Sequence, residues 1–406
     1  MTYLQRKRRI LILGGGYAGL IAAARSARAG SAEITLVNAR PEFVQRIRLH
    51  EALAGSSPRT LALAPALARR GVRFVQGFVE QLQPDRQRVV GRDSAGNRLE
   101  LGYDELIVAL GSRTAAPTPD VAAHTVRLDD QAAAQAASEQ IRQVARRGGR
   151  VLIVGAGLTG IETAAELAER FPTLRVGLTT NGRIGEGYSA EGEHYLRQRL
   201  ARLGIEVWEQ TPITGVEQGH AWTASGTVLP FDMCVWCGGF EAPPLAREAG
   251  LQVDSDGRVV VDAVLRAVDQ PNIFAVGDAA AITVGGKTIR MACASALPMG
   301  GHVGDNIRRL LRGAELKPFD LGFAARCISL GRRDGLVQWT TLDDTARPKI
   351  WTQRRAVYSK ELICRATYTI VAQELRLGIP LYHWVGSGKA QGEIGQAAGR
   401  AQEISA

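Results

Sequence analysis

The stretch Ile10-Leu11-Ile12-Leu13-Gly14-Gly15-Gly16-Tyr17-Ala18-Gly19 decides the fold. Four apolar residues run into G-x-G-x-x-G and then into an Ala-rich segment, the order strand, tight turn, helix. In such a turn the first Gly reverses the chain and the second lets backbone approach a pyrophosphate. The third lets the helix pack on the strand. Free N–H groups and a partial positive charge at the helix N-terminus then attract phosphate. The pattern recurs at Val151-Leu152-Ile153-Val154-Gly155-Ala156-Gly157-Leu158-Thr159-Gly160. One copy is a weak signal. Two copies predict two bound dinucleotides, with electrons passing between them.

Working outward, Glu33–Val37 completes a first βαβ unit, and Leu174–Thr180 completes a second one begun at Arg150. Short strands or hairpins are expected over 72–79 and 86–90, and buried strands over 106–110, 231–237 and 273–276. Helices are expected over 129–147, 190–203 and 295–312. Thr114–Asp120 reads as a Pro-rich linker. Ala325–Leu330, Leu336–Thr341 and Ala366–Ile370 alternate, which predicts a small mixed sheet. The Gly/Gln/Ala-rich tail from Gly386 has little to bury and is expected to fray.

At 406 residues two or three domains are expected. A hydrophobic share of 45% with 22% charged residues is that of a soluble globular chain. No apolar run reaches the ~18 residues that span a bilayer. Arg6–Arg9 followed by Ile10–Leu13 imitates a signal peptide, but the apolar run is too short and enters Gly14 directly. The net charge of +10 is scattered over the chain, without nucleic-acid-binding motifs, so no nucleic-acid partner is expected. Five cysteines without a secretion signal point to a reducing cytoplasm. Cys234-Val235-Trp236-Cys237 lies on a strand, where alternation sends the two thiols to opposite faces. A structural role is expected for both, and no metal site. No hydrolase or metalloprotease motif is present.

Two more segments narrow the reading. Tyr103–Ser112 (YDELIVALGS) and Asn272–Ala280 (NIFAVGDAA) accompany the two glycine turns. Together the four resemble the two-dinucleotide-binding flavoproteins, the FAD- and NAD(P)-dependent pyridine nucleotide oxidoreductases. Within them the chain looks most like the type II NADH dehydrogenase branch. It lacks an active-site disulfide after the first helix, and Cys327–Gly335 (CISLGRRDG) resembles that branch's C-terminal start. The resemblance implies an α/β fold with two Rossmann-like, glutathione-reductase-like nucleotide-binding domains, the second inserted in the first, plus a small C-terminal α+β domain. The implied limits are 1–120 with 265–318 for FAD, 121–264 for NAD(P)H, and 319–406.

The implied activity is hydride transfer between NAD(P)H and flavin N5, then electron transfer to an acceptor such as a quinone. FAD would lie against Gly14, Gly16, Tyr17, Ala18 and Gly19, with Asn38, Ala39 and Arg40 toward its adenosine. Arg48, Ala109, Gly111, Gly277 and Pro298 would flank it, and Asp278 would bond the ribityl chain, a helix N-cap being the alternative. Gly155, Gly157 and Gly160 would hold NAD(P)H. Arg183, with no acid at the strand end, leans toward a 2′-phosphate. Glu162 would stand near the nicotinamide, and His50 would serve as proton donor or substrate contact. By the same resemblance Cys293 would face the flavin, as a functional thiol or as packing; these three are the catalytic candidates. His302 is expected to pack or cap.

Two departures matter. The branch's quinone motif bears glutamines, replaced here around Ala294 and Pro298, and the tail has no amphipathic anchor. A soluble biosynthetic FAD-dependent oxidoreductase therefore stands as the alternative acceptor reading, and a flavin-bound sensor as a third. Peripheral membrane contact and a homodimer through the C-terminal sheet are both left open.

Overall fold

The structure, a computed structural model, describes residues 6–388. The strand Arg8–Leu13 is buried from Ile10 onward, as a run apolar on both faces requires. It pairs in parallel with Ala32–Asn38 on one side and Glu105–Val108 on the other. The full sheet has seven strands in the order Ile273–Ala275, Glu105–Val108, Arg8–Leu13, Ala32–Asn38, Arg73–Gln83, Arg88–Asp93, Arg98–Gly102. The strand at 273 thus returns beside the one that ends at Val108. Between them the chain builds a five-stranded parallel sheet, ordered Val126–Arg127, Met233–Trp236, Arg150–Val154, Arg175–Thr179, Glu206–Trp208. This is an α/β fold of two Rossmann-like units, the second inserted in the first. Cys234 and Cys237 fall in separate cores, as the alternation predicts. Both are free and buried, and burial pushes the Cys237 thiol up to about 12.

Two expectations fail. Ala366–Ile370 is no strand; it lies within a 25-residue helix, Gln353–Leu377. Its buried residues Cys364, Thr367, Val371 and Leu375 are spaced by three and four, and that longer period overrides a five-residue alternation. The third strand of the C-terminal antiparallel sheet is instead Ala346–Thr352, beside Gly335–Thr340 and Ala325–Ser329. Nor is Thr114–Asp120 a bare linker. Arg113–Thr114 pairs with Phe240–Glu241, so the two chain crossings between the sheets are hydrogen-bonded to each other. Thr118 then caps the short helix Pro119–His124, with Pro at its first position. Of the expected frayed tail, the residues beyond 388 lie outside the described residues. Ser387 and Gly388 donate their N–H groups to Asp320.

The helix after the first glycine turn, Tyr17–Ser26, packs on the helix Cys293–Leu310 at very short range. A Cβ on Gly300 would meet the Ala18 carbonyl oxygen at 2.2 Å, and one on Gly304 the Arg25 Cβ at 2.8 Å. Arg25, 3% exposed, reaches out of this contact to the C-terminal helix. Its Nε and Nη2 donate to both oxygens of Glu374 at 3.0 and 2.9 Å, and its Nη1 meets Asp305 at 3.0 Å. Glu374, 1% exposed, also accepts from the Leu381 and Tyr382 N–H groups. A buried pair satisfied on every side is costly to break from one end. Glu374→Ala is expected to lower unfolding free energy by about 3–5 kcal/mol, measured by urea titration. A loss below about 1 kcal/mol would show that the pair behaves as an exposed one.

Candidate active site

The two glycine turns superimpose in their chemistry. Gly14 has φ +106°, and Gly155 has φ +100°. Gly14 donates its N–H to the Val37 carbonyl at 2.8 Å, and Gly155 donates to Thr179 at the same distance. A Cβ on Gly19 would lie 2.0 Å from the Gly14 oxygen, and one on Gly160 would lie 1.8 Å from the Gly155 oxygen. No side chain fits there, so helix and strand touch through backbone. The middle glycines are the opposite case. A Cβ on Gly16 or Gly157 would meet nothing within 4 Å, although both have ordinary extended angles, φ −85° and −69°. Those glycines leave space in front of a helix N-terminus, which is the room a pyrophosphate needs.

At the first turn Asn38 closes the pocket rather than reaching out of it. Its Oδ1 accepts from the Gly15 N–H at 2.8 Å, and its Nδ2 donates to the Arg40 carbonyl at 2.8 Å. Arg40 and the Ala39 carbonyl stay near the rim, the latter accepting from Gln76 at 3.4 Å. Arg48 is buried and occupied, with Glu51 at 2.8 Å and Glu361 at 2.8 Å. Tyr17 packs edge-on against Phe43. Ala109 lies against Gly14, Gly111 turns at φ +70°, and Pro298 is buried inside the helix Cys293–Leu310. Gly277 turns at φ +66° to deliver Asp278. One Asp278 oxygen accepts from the Ser112 hydroxyl at 2.7 Å. The other, Oδ1, is sealed from solvent with no partner among the described residues. A buried carboxylate oxygen without a donor is a strong demand for one, and a ribityl hydroxyl is such a donor. The glycine cradles and this orphan oxygen fit FAD at the first turn, and the second turn fits a nicotinamide dinucleotide.

Glu162 stands on the helix after the second turn, Leu158–Arg170, and is 5% exposed. Lys360 of the long C-terminal helix meets its Oε1 at 2.7 Å, and the Ser329 N–H donates to it at 3.0 Å. His50 Nδ1 lies 3.8 Å from the other oxygen, and His50 Nε2 lies 4.0 Å from Glu51. Burial alone would raise the Glu162 carboxyl. Lys360, His50 and the Ser329 N–H together hold it below the usual range. Burial would lower Lys360, and Glu162 reverses that and raises it. Arg332 continues the network to Glu51 at 2.9 Å and Glu166 at 2.7 Å. Cys293, Cys327 and Cys364 all feel the Lys360 charge, yet burial raises each thiol. The structure therefore brings Glu162 and His50 together, with Cys293 close enough to feel the charges of Lys360 and Glu162.

Arg183 is not gathered. Its side chain is 66% exposed and meets Glu193 at 3.1 Å. Sequence reasoning missed Lys360, Arg332 and the hydroxyl of Ser112. Ser112 and Arg332 lie inside the quoted segments Tyr103–Ser112 and Cys327–Gly335, whereas Lys360 had no local signal. Gly16→Val and Gly157→Val separate the two cradles, because neither backbone conformation resists a side chain. Gly16→Val is expected to fold with flavin affinity at least about tenfold weaker. Gly157→Val is expected to keep its flavin and lose NAD(P)H affinity by at least about tenfold. Flavin absorbance after gel filtration and a nucleotide titration read the two losses.

Residues 8–300 match the sequence family described as pyridine nucleotide-disulphide oxidoreductase. The chain is 30% identical over 324 residues to an NADH dehydrogenase-like protein of Mycobacterium tuberculosis, covering 74% of this chain and 80% of that one. It is 29% identical over 376 residues to a demethylphylloquinone reductase of Synechocystis, covering 86% and 91%. Among solved structures, a sulfide:quinone oxidoreductase of Aquifex aeolicus aligns with a TM-score of 0.78 at 18% identity, covering 90% and 92%.

Proposed function

This chain belongs to the pyridine nucleotide-disulphide oxidoreductase family, as an FAD-dependent NAD(P)H oxidoreductase, and from that premise we propose that its electron acceptor is a quinone. The observation that carries the proposal is the buried Glu162–Lys360 pair beside thiols kept protonated by burial. Protonated thiols are poor nucleophiles, so Cys293 serves as packing rather than as a reacting sulfur. The Synechocystis relative, named as a reductase of a quinone, supports the same acceptor class. The altered positions carry no polar group that would select another substrate: Ala294 is exposed and Pro298 is buried.

Bound FAD would supply the hydride acceptor, and bound NAD(P)H would supply the hydride. The chain's own work is positioning, with reacting atoms held near ~3–3.5 Å. The glycine cradles fix both pyrophosphates, Ser112 orients Asp278, and Lys360 holds Glu162 as an anion that orients the nicotinamide. His50, between Glu162 and Glu51, is the group we assign to proton exchange. Arg183 is already paired with Glu193, so NADH and NADPH both dock. The domain limits given by the sequence reading serve this scheme, with FAD held by the discontinuous unit.

Among the described residues no helix is long and apolar enough to cross a membrane. Tyr358 and Leu362, one helical turn apart, are 73% and 57% exposed. Ile379, Leu381 and Val385 follow them as exposed apolar residues. We assign this apolar region to peripheral contact with a membrane that holds the quinone. The outer C-terminal strand carries Arg347, Pro348 and Lys349, which discourage edge pairing, so a homodimer through this sheet would use its faces.

Steady-state turnover with NADH tests the acceptor. A short-chain ubiquinone or menaquinone is expected to exceed oxygen by at least about tenfold in kcat/KM. Equal and poor rates with every quinone would favour the soluble biosynthetic reading. A second test concerns Glu162. Its lowered value means that the pair's contribution to stability is present above pH about 4.5 and lost as pH falls through the lowered value. Lys360→Met removes the main opposing charge, and burial then raises the carboxyl. The acidic limb of kcat/KM is expected to move up by more than about one pH unit. An unmoved limb would remove Glu162 from the reaction.

A further inference from the structure

The helix Cys293–Leu310 begins in the active-site cleft, and its last turns lie roughly 20 Å away along the axis. There a cavity of about 440 Å³ opens, with Arg308, Arg309, Arg312, Lys317, Asp305 and Trp384 in its lining. That volume suits a small molecule. The charge is one-sided. Asp305 is the acid of this lining, and it already meets Arg25 at 3.0 Å and Arg308 at 3.4 Å. His302 also lines the cavity, and burial pushes it down to about 4, so it adds no charge near neutrality. Arg28 lies close enough to Arg308 for the two like charges to oppose each other.

Basic residues in a last helical turn ordinarily complement the helix dipole, and that accounts for Arg308 and Arg309. It does not account for Arg312 and Lys317, which lie beyond the helix. Nor does it account for the Arg308 Nε, sealed from solvent without a hydrogen-bond partner among the described residues. The walls are also held in place. Asn306, 1% exposed, clasps Lys317 from both sides: its Nδ2 donates to the Lys317 carbonyl at 2.9 Å, and its Oδ1 accepts the Lys317 N–H at 3.0 Å. Arg309 Nε donates to the Glu315 carbonyl at 2.7 Å. Trp384 is fixed by its Nε1 donating to the Asp320 carbonyl at 2.9 Å. The helix therefore latches the loop that carries Lys317, and an indole closes the other side.

We infer that this cavity binds a phosphate-bearing anion, at a site separate from both dinucleotide cradles. Guanidinium groups are the side chains best matched to phosphate oxygens. The ligand's phosphate can come from a free oligophosphate, a nucleotide tail or a phospholipid headgroup, and the test separates these sources.

The flavin-loaded protein is titrated calorimetrically with sodium tripolyphosphate, with ADP, and with vesicles of phosphatidylglycerol. The same titrations are run on Arg308→Gln/Arg312→Gln and on the exposed-site variant Lys317→Glu. Binding of at least one probe is expected, weakened at least about tenfold in both variants, while flavin content and reduction by NADH stay unchanged. Tripolyphosphate binding identifies a free oligophosphate, and tighter ADP binding that Trp384→Leu abolishes identifies a nucleotide. Binding of vesicles alone identifies a headgroup. Absence of binding by all three probes overturns the inference. So does binding that either variant leaves intact, because the probe then does not depend on this basic lining.

Discussion

Everything in this molecule rests on a contact that admits no side chain. At Gly19 and again at Gly160 the helix approaches the preceding turn so closely that a Cβ would sit on a carbonyl oxygen. That approach aims a helix N-terminus at open space in front of Gly16 and Gly157, and the space is the functional product of the contact. The strands behind each turn are buried on both faces, so the turns have rigid backing. Because the second sheet is inserted between Val108 and Ile273, each cradle stands on a sheet of its own.

Charge then ties the parts together where packing alone would leave them free to shift. Arg25 and Glu374 join the first helix to the C-terminal helix in a fully satisfied buried pair. Glu162 and Lys360 join the inserted unit to the same C-terminal helix. Arg332 and Arg48 extend that junction to Glu166, Glu51 and Glu361. Buried pairs of this kind contribute little net stability against apolar replacements, but they fix geometry because breaking one side is expensive. The result is a cleft in which a carboxylate stays ionised although it is buried.

The parts of this account legible in the sequence were those written locally. Both glycine turns and the Gly277-Asp278 corner declare themselves within ten residues, and the two βαβ units that the turns open are legible too. The Lys360 partner of Glu162 had no such signal, since its meaning comes from a contact across the whole chain. Asn38 is expected beside the adenosine, and what the sequence does not show is that its amide also closes the turn at Gly15 and Arg40. A five-residue alternation at Ala366–Ile370 imitated a strand because the helical period shows only over a longer window. Thr118-Pro119 held a helix-start signal inside a stretch read as linker.

The central claim is that the two cradles serve one hydride transfer. Anaerobic titration of the purified protein with NADH and, separately, NADPH, followed by visible flavin absorbance, tests it most directly. Stoichiometric bleaching of the flavin by both nucleotides is the result predicted here. A flavin that is present but bleached by neither would contradict the account, and would leave the second glycine turn as architecture without a reaction.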